Sequence, residues 1–186
     1  MESNGGGGGD NGLAALDDRQ LVRRLGAAQW LEATDLLFAR GPATLEALIE
    51  GISDPDWRVR RGCAALMDHL GDERCVGPLR RALRDPYEAV RRAALHAIHC
   101  QHCKACPLPA DTVAPLIEHA LHDPSIRVRR VATHYLSEHA GDDERARRTL
   151  QTLAARESDA KIVSRARRGL ESRPPVAATG RAARVG

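Results

Sequence analysis

Apolar residues recur at helical spacing along most of this chain and predict a series of amphipathic helices. The apolar positions of two such stretches are Val59, Cys63, Leu66 and Leu70 in the first and Val128, Ala132, Tyr135 and Leu136 in the second. Spacings of three and four residues place such side chains on one face of a helix. Aromatic residues make up only 3% of the chain, so leucine, valine, isoleucine and alanine must build the core. We therefore predict an all-α fold.

The helical pattern repeats along the chain. Each copy of the repeat begins with Asp-Pro and continues, after three further residues, with Val-Arg-Arg. The copies begin at Asp54, Asp85 and Asp123, with spacings of 31 and 38 residues. A weaker fourth copy begins at Ser158 and keeps the valine and the arginines but not the proline. A half-repeat covers residues 41 to 53, and a degenerate opening unit lies before it. Because one helix pair cannot bury its apolar stripe alone, the pairs are expected to stack into an α-solenoid.

Specific residues predict where the helices of each copy begin and end. The Asp of each Asp-Pro pair is expected to cap the first helix, with Pro in its first turn. Gly71 and Gly141 are expected to stop that helix in the left-handed conformation. Pro78 and Pro115 are expected near the start of the second helix, where a missing amide costs little.

The repeated pattern resembles HEAT repeats, specifically the phycobilisome-lyase-like class, over about residues 41 to 170. The resemblance implies a ladder of Asp–Arg contacts between neighbouring repeats. Its residues would be Asp54, Asp85 and Asp123 with Arg60, Arg91 and Arg129. We predict a right-handed α-solenoid of about four HEAT-like helix-pair repeats. The resemblance implies little about function, because HEAT-like solenoids include scaffolds, lyase subunits, a metal-dependent hydroxylase and DNA glycosylases.

Composition divides the chain into three parts. Residues 1–12 and 173–186 are rich in glycine or small residues and are predicted to be disordered, and residues 13–172 form the repeat domain. The start of the sequence lacks the features of a secretory signal, and no stretch is apolar enough to span a membrane. We therefore expect a cytoplasmic protein. In that compartment thiols are kept reduced, so buried thiols or metal ligands are favoured over disulfides for the five cysteines.

Three histidines and three cysteines lie within the eleven residues from His96 to Cys106. The first helix of the second copy is predicted to run from about Tyr87 to Cys100, so the cluster is an insertion, at residues 99–109, in the turn that follows. Cys100, Cys103 and Cys106 have the C-x2-C-x2-C spacing, and His96 lies one helical turn before Cys100. Three thiolates and one imidazole would complete a tetrahedral zinc site.

The full ligand set and the role of these six residues stay open. His99, His102 and His134 are additional candidate ligands. A redox-active thiol pair, incidental packing of cysteine and histidine near a helix end, and an iron-sulfur cluster are the alternatives to a zinc site. Cys63 and Cys75 belong to the apolar stripes and are predicted to lie in the core.

The function predicted from the sequence is a non-enzymatic scaffold that binds a protein partner in the groove lined by the second helices. The groove candidates are Glu46, Glu50, Arg80, Arg84, Glu118 and His122. One alternative is a nucleic-acid-binding module, which would use the Arg pairs at 60–61, 91–92, 129–130 and 167–168, although the net charge is only +3. The repeat class alone suggests another alternative, a lyase or chaperone-like subunit. The sequence contains no phosphate-binding loop or nucleophile motif that would indicate an enzyme.

Overall fold

The computed structural model describes residues 12–100 and 111–172, and all regular secondary structure in these residues is helical. The α-helices are α1 (Asp18–Arg24), α2 (Trp30–Arg40), α3 (Leu45–Gly51), α4 (Trp57–Leu70), α5 (Val76–Ala82), α6 (Glu88–His99), α7 (Val113–His122), α8 (Ile126–Leu136), α9 (Glu144–Arg156) and α10 (Ala160–Ser172). Short 3-10 helices span Gly41–Thr44, Glu73–Cys75 and Ser137–His139. No helix among the described residues is long and apolar enough to cross a membrane. The predictions for the two ends of the chain fall almost entirely outside the described residues.

The chain forms two compact units, Met1–Ala110 and Asp111–Gly186. In the first unit, α4 packs against α6 and α3, and α1 packs against α2 and α3. In the second unit, α7 packs against α8, and α10 packs against both α8 and α9. The first helices of successive copies are therefore neighbours in both units, as stacking of repeats requires. The boundary between the units falls inside the second copy, between α6 and α7.

The helical stripes form the cores as the periodicity predicts. The valine that begins each stripe, at Val59, Val90 and Val128, is buried. Cys63 and Cys75 are also buried, which confirms their assignment to the core. Burial raises the pKa of the Cys63 thiol, because a thiolate would lose its hydration there.

The Asp-Pro pairs do not cap helices directly, so that prediction is wrong. α4 begins three residues after Asp54, and its N-cap is Asp56, whose side chain accepts a hydrogen bond from the Arg58 amide. Asp54 instead accepts a 2.8 Å hydrogen bond from the Asp56 amide, and Asp85 accepts one of the same length from the Tyr87 amide. Each Asp therefore shapes an Asx turn ahead of the helix.

The turn aspartate of the second copy binds an arginine of the first. Arg60 donates to Asp85 from Nε at 2.6 Å and from a terminal nitrogen at 3.1 Å. Its other terminal nitrogen donates to the carbonyls of Asp54 and Pro55. The Arg60 and Asp85 side chains are only 11% and 8% exposed. This pair confirms one rung of the predicted ladder within the first unit.

The fourth copy has a different register from the one predicted. Ile162 rather than Val163 is buried, so Ile162 is the counterpart of Val128. Glu157 then stands at the turn-aspartate position, where its Oε1 accepts from the Asp159 amide at 3.0 Å. Its Oε2 lies 3.7 Å from Arg129 Nε. Glu157, which was not among the predicted ladder residues, therefore lies beside Arg129 as Asp85 lies beside Arg60.

The prediction for Gly71 and Gly141 is also wrong in its conformational detail. α4 does end before Gly71, but the glycine is extended, with φ −73° and ψ 147°. Among the described residues only Gly41 has a positive φ. Gly71 is needed for space, because a Cβ there would collide with the Met67 carbonyl oxygen.

Candidate functional site

Three potential metal ligands converge where α4 packs against α6. Asp68 lies in the last turn of α4, His96 lies in the last turn of α6, and Cys100 is the C-cap of α6. A carboxylate oxygen, an imidazole nitrogen and the thiol sulfur all lie within 4.8 Å of one another. Asp68 Oδ2 is 3.0 Å from His96 Nε2. We call these three residues the Asp-His-Cys cluster.

Burial differs sharply across the Asp-His-Cys cluster. The Asp68 side chain is 2% exposed, whereas the His96 side chain is 43% exposed. A buried carboxylate requires hydrogen bonds or a cation to offset its lost hydration. The exposed imidazole leaves the cluster open to solvent on one side, so an ion could enter without unfolding the repeat.

Asp68 is the ligand that the sequence prediction missed. It follows Ala64 by four residues, and Ala64 is fully buried, so the helical period already placed a charge on the apolar face of α4. A carboxylate at a buried position such as that of Asp68 is expected to have a hydrogen-bonding or charged partner. The adjacent His69 is a more obvious ligand by residue type, but it is exposed, and its Nε2 lies 3.6 Å from Asp68 Oδ2.

The other predicted ligands fall in three places. Cys103, Cys106 and His102 lie outside the described residues. His99 is buried in α6 but does not belong to the Asp-His-Cys cluster. His134 lies in the second unit, where its Nδ1 is 2.7 Å from a terminal nitrogen of Arg165. The structure thus brings together two of the four principal ligands, His96 and Cys100.

A pocket of about 340 Å³ opens between α2 and α4 in the first unit. We call it the α2–α4 pocket. Its aromatic wall consists of Trp30 and Phe38, which are 43% and 50% exposed. The Phe38 ring meets His69 edge-on, with centroids 5.6 Å apart. Leu31, on the same helix, is 60% exposed. Three of the four exposed large hydrophobic residues in the described part of the chain therefore lie on α2.

The polar lining of the α2–α4 pocket includes Arg58, Arg61 and Asp35. The Arg58 guanidinium is 3.5 Å from the Asp56 carboxylate and stacks over Trp57. The Arg61 guanidinium lies 6.0 Å from the centre of the Trp30 ring, and no carboxylate in the described residues forms an ion pair with it. The pocket thus places an exposed cation beside an exposed aromatic face.

The predicted groove residues are all exposed, but they are not equally available. The exposed members are Glu46, Glu50, Arg80, Arg84, Glu118 and His122. Glu46 already binds Arg74 at 2.6 Å, and Glu50 binds Arg19 at the same distance. The pKa of Glu50 is lowered mainly by its hydrogen bond from Arg19. Binding of a partner by these six residues stays a prediction.

The repeated Arg pairs are partly occupied by internal contacts. Arg60 binds Asp85, and Arg91 is buried and donates to the carbonyls of Asp85 and Pro86. Arg130 binds the Asp159 carboxylate at 2.6 Å, and this hydrogen bond lowers the pKa of Asp159 to about 2. At these positions arginine stabilises the repeat. The remaining exposed members of the pairs are Arg61, Arg92, Arg167 and Arg168.

Comparisons with known proteins agree with the repeat architecture. A designed armadillo repeat protein in complex with the peptide (KR)4 has a similar structure, with a TM-score of 0.52. The similarity covers 83% of this chain and 80% of that chain at 17% sequence identity, so it shows the fold alone. No curated protein matches the chain in sequence. These findings confirm the predicted all-α, α-solenoid class, and residues 45–99 match the family model of HEAT repeats.

Proposed function

We propose that this chain is a non-enzymatic protein-interaction scaffold that binds a segment of a partner protein in the α2–α4 pocket. The observation that carries the proposal is the exposure of Trp30, Leu31 and Phe38 on one helix beside a pocket of about 340 Å³. Contiguous exposed apolar surface of this kind marks binding sites in soluble proteins. The helical-repeat fold supports the proposal, because stacked helix pairs offer extended surfaces to partners.

The lining of the pocket defines the chemistry of the segment that it would bind. An apolar side chain would fill the space between Trp30 and Phe38. Arg61 would then bind a carboxylate next to that side chain, since guanidinium and carboxylate groups form paired hydrogen bonds. Two arginines and one aspartate line the pocket, which favours an acidic segment over a basic one. This preference is opposite to the basic peptide named for the designed armadillo protein.

Two finer assignments belong to the same proposal. The phycobilisome-lyase-like class of HEAT repeats is supported by the three copies of Asp-Pro with Val-Arg-Arg. A cytoplasmic location is supported by the burial of the Cys63 and Cys75 thiols in the core. Partner binding by the groove of the second helices, a surface separate from the α2–α4 pocket, stays a prediction.

Selection of random displayed peptides on the immobilised full chain tests the proposal. We expect the selected peptides to carry Leu or Phe next to Glu or Asp. Their affinity, measured by fluorescence anisotropy, should fall at least about tenfold in Trp30→Ala and in Arg61→Gln, because each removes a central contact. The matched controls are Tyr87→Ala, an exposed aromatic outside the pocket, and Arg84→Gln, an exposed arginine of the predicted groove. Both controls should keep the affinity.

Three outcomes would contradict the pocket as the binding site. Selected peptides could be predominantly basic, or they could bind Trp30→Ala and Arg61→Gln as tightly as the unchanged chain. Loss of affinity in Arg84→Gln alone would place binding on the second-helix groove. Analytical ultracentrifugation adds a further check, because a dimer that Trp30→Ala dissociates would show that a second copy of the chain occupies the pocket.

A further inference from the structure

We propose that Asp68, His96 and Cys100 bind one transition-metal ion, zinc being the ion that suits this donor set, across the contact between α4 and α6. The proposal is independent of the peptide pocket. It rests on three different ligand types that approach one point from two packed helices.

The distances fit a tetrahedral ion after small side-chain movements. Zinc binds oxygen and nitrogen at about 2.0–2.2 Å and sulfur at about 2.3 Å, so neighbouring ligands of a tetrahedral site are roughly 3.3–3.7 Å apart. Asp68 Oδ2 and His96 Nε2 are 3.0 Å apart, and all three ligand atoms lie within 4.8 Å of one another. Rotamer adjustments of about an ångström would bring them to that spacing.

The donor set favours zinc over the hard cations. Magnesium and calcium prefer oxygen ligands, whereas one thiolate, one imidazole and one carboxylate are ligands that zinc accepts. Binding would release the thiol proton of Cys100 to solvent. His96 would coordinate through Nε2, and the proton that Nε2 shares with Asp68 would move to Nδ1 or, from a charged imidazole, to solvent. Three protein ligands leave a fourth position for water, which is the arrangement of an open zinc site.

The position of the Asp-His-Cys cluster gives the ion a structural effect. Asp68 belongs to the first copy of the repeat, and His96 and Cys100 belong to the second. A bound ion would therefore join two neighbouring repeats close to the end of the first unit. Because the ligands converge only in the folded state, zinc binding would add to the stability of that unit.

Metal binding by the full chain, purified without chelator, tests the proposal. We expect about one equivalent of zinc by mass spectrometry. In chain stripped of metal, Co²⁺ should produce a thiolate-to-cobalt absorption band that Cys100→Ser abolishes. Asp68→Asn and His96→Gln should weaken zinc binding by more than about 100-fold, since even groups that only support ligands contribute 10–100-fold. Zinc should also raise the melting temperature of the unchanged chain and not that of these variants.

Matched controls separate the Asp-His-Cys cluster from other ligands. Asp72→Asn changes an exposed aspartate near the same turn, and His122→Gln changes an exposed histidine of α7, so both should bind zinc normally. Circular dichroism confirms folding of each variant, and the exposed His96 side chain makes His96→Gln the variant best able to fold. Absence of zinc binding in the unchanged chain would overturn the proposal. So would unchanged affinity in folded Asp68→Asn and His96→Gln, which would place the metal on other residues.

Discussion

Removal of the Arg60 guanidinium should destabilise the first unit more than any change to an exposed ion pair. Arg60→Met keeps the aliphatic part of the side chain and deletes four hydrogen bonds, two to the Asp85 carboxylate and two to backbone carbonyls. Asp85 is 8% exposed and would keep its hydrogen bond from the Tyr87 amide. Loss of one partner of a buried ion pair costs about 3–5 kcal/mol. Because the pair retains some exposure, we expect a loss of about 3 kcal/mol.

Urea unfolding followed by tryptophan fluorescence measures this loss in the first unit specifically. The chain has two tryptophans, Trp30 and Trp57, and both lie in that unit. Trp57 stacks on Tyr87 with ring centroids 5.4 Å apart, so its emission reports the turn that contains Asp85. The midpoint should fall without a change in the slope of free energy against urea concentration.

A second variant and a control make the result decisive. Adding Asp85→Asn to Arg60→Met should recover part of the loss, because the amide oxygen at position 85 can still accept from the Tyr87 amide without a buried charge. Arg74→Met breaks ion pairs to Glu46 and Asp72 in which Arg74 is 49% exposed and its partners are 69% and 47% exposed. It should cost much less stability than Arg60→Met. If Arg60→Met cost no more than Arg74→Met, the ladder would not be a structural element of this fold.

Three further predictions concern packing, thiol reactivity and pH. Gly51→Ala should destabilise the first unit by about 1–3 kcal/mol, because a Cβ would lie 2.5 Å from Val22 and 2.6 Å from the Cys63 sulfur. Gly77→Ala, whose Cβ would meet only the end of the Arg81 side chain at 3.9 Å, should raise stability by roughly 0.5–1 kcal/mol, and thermal melts compare the two variants. Iodoacetamide should modify Cys63 only after unfolding, as seen by peptide mass spectrometry, since burial raises its pKa. Burial and then the charge of Arg165 lower the pKa of His134 from 6.5, so the unfolded chain takes up the proton first and stability should decrease as pH falls below about 6.5. His134→Gln should reduce that decrease in urea unfolding followed by circular dichroism.

Helix positions and core residues were predictable because they depend on local periodicity. The first helix of the second copy was predicted from about Tyr87 to Cys100 and spans Glu88–His99. Val90 heads its stripe and is fully buried. The same pattern failed in the fourth copy, where Ile162 rather than Val163 is buried. Two adjacent β-branched residues satisfy the pattern equally well, so only packing against the other helices of the second unit selects one of them.

The candidate sites were less predictable because they depend on which residues of different helices meet. The sequence by itself indicated the repeat, the buried stripes and the concentration of ligands between His96 and Cys106. It could not show that Asp68, rather than the neighbouring His69, lies beside His96. Adjacent residues on a helix point about 100° apart, so the packing of α4 against α6 decides which of them faces the partner helix. Periodicity within each helix therefore determined the helical-repeat architecture. The contact between α4 and α6 decided which residues form the Asp-His-Cys cluster.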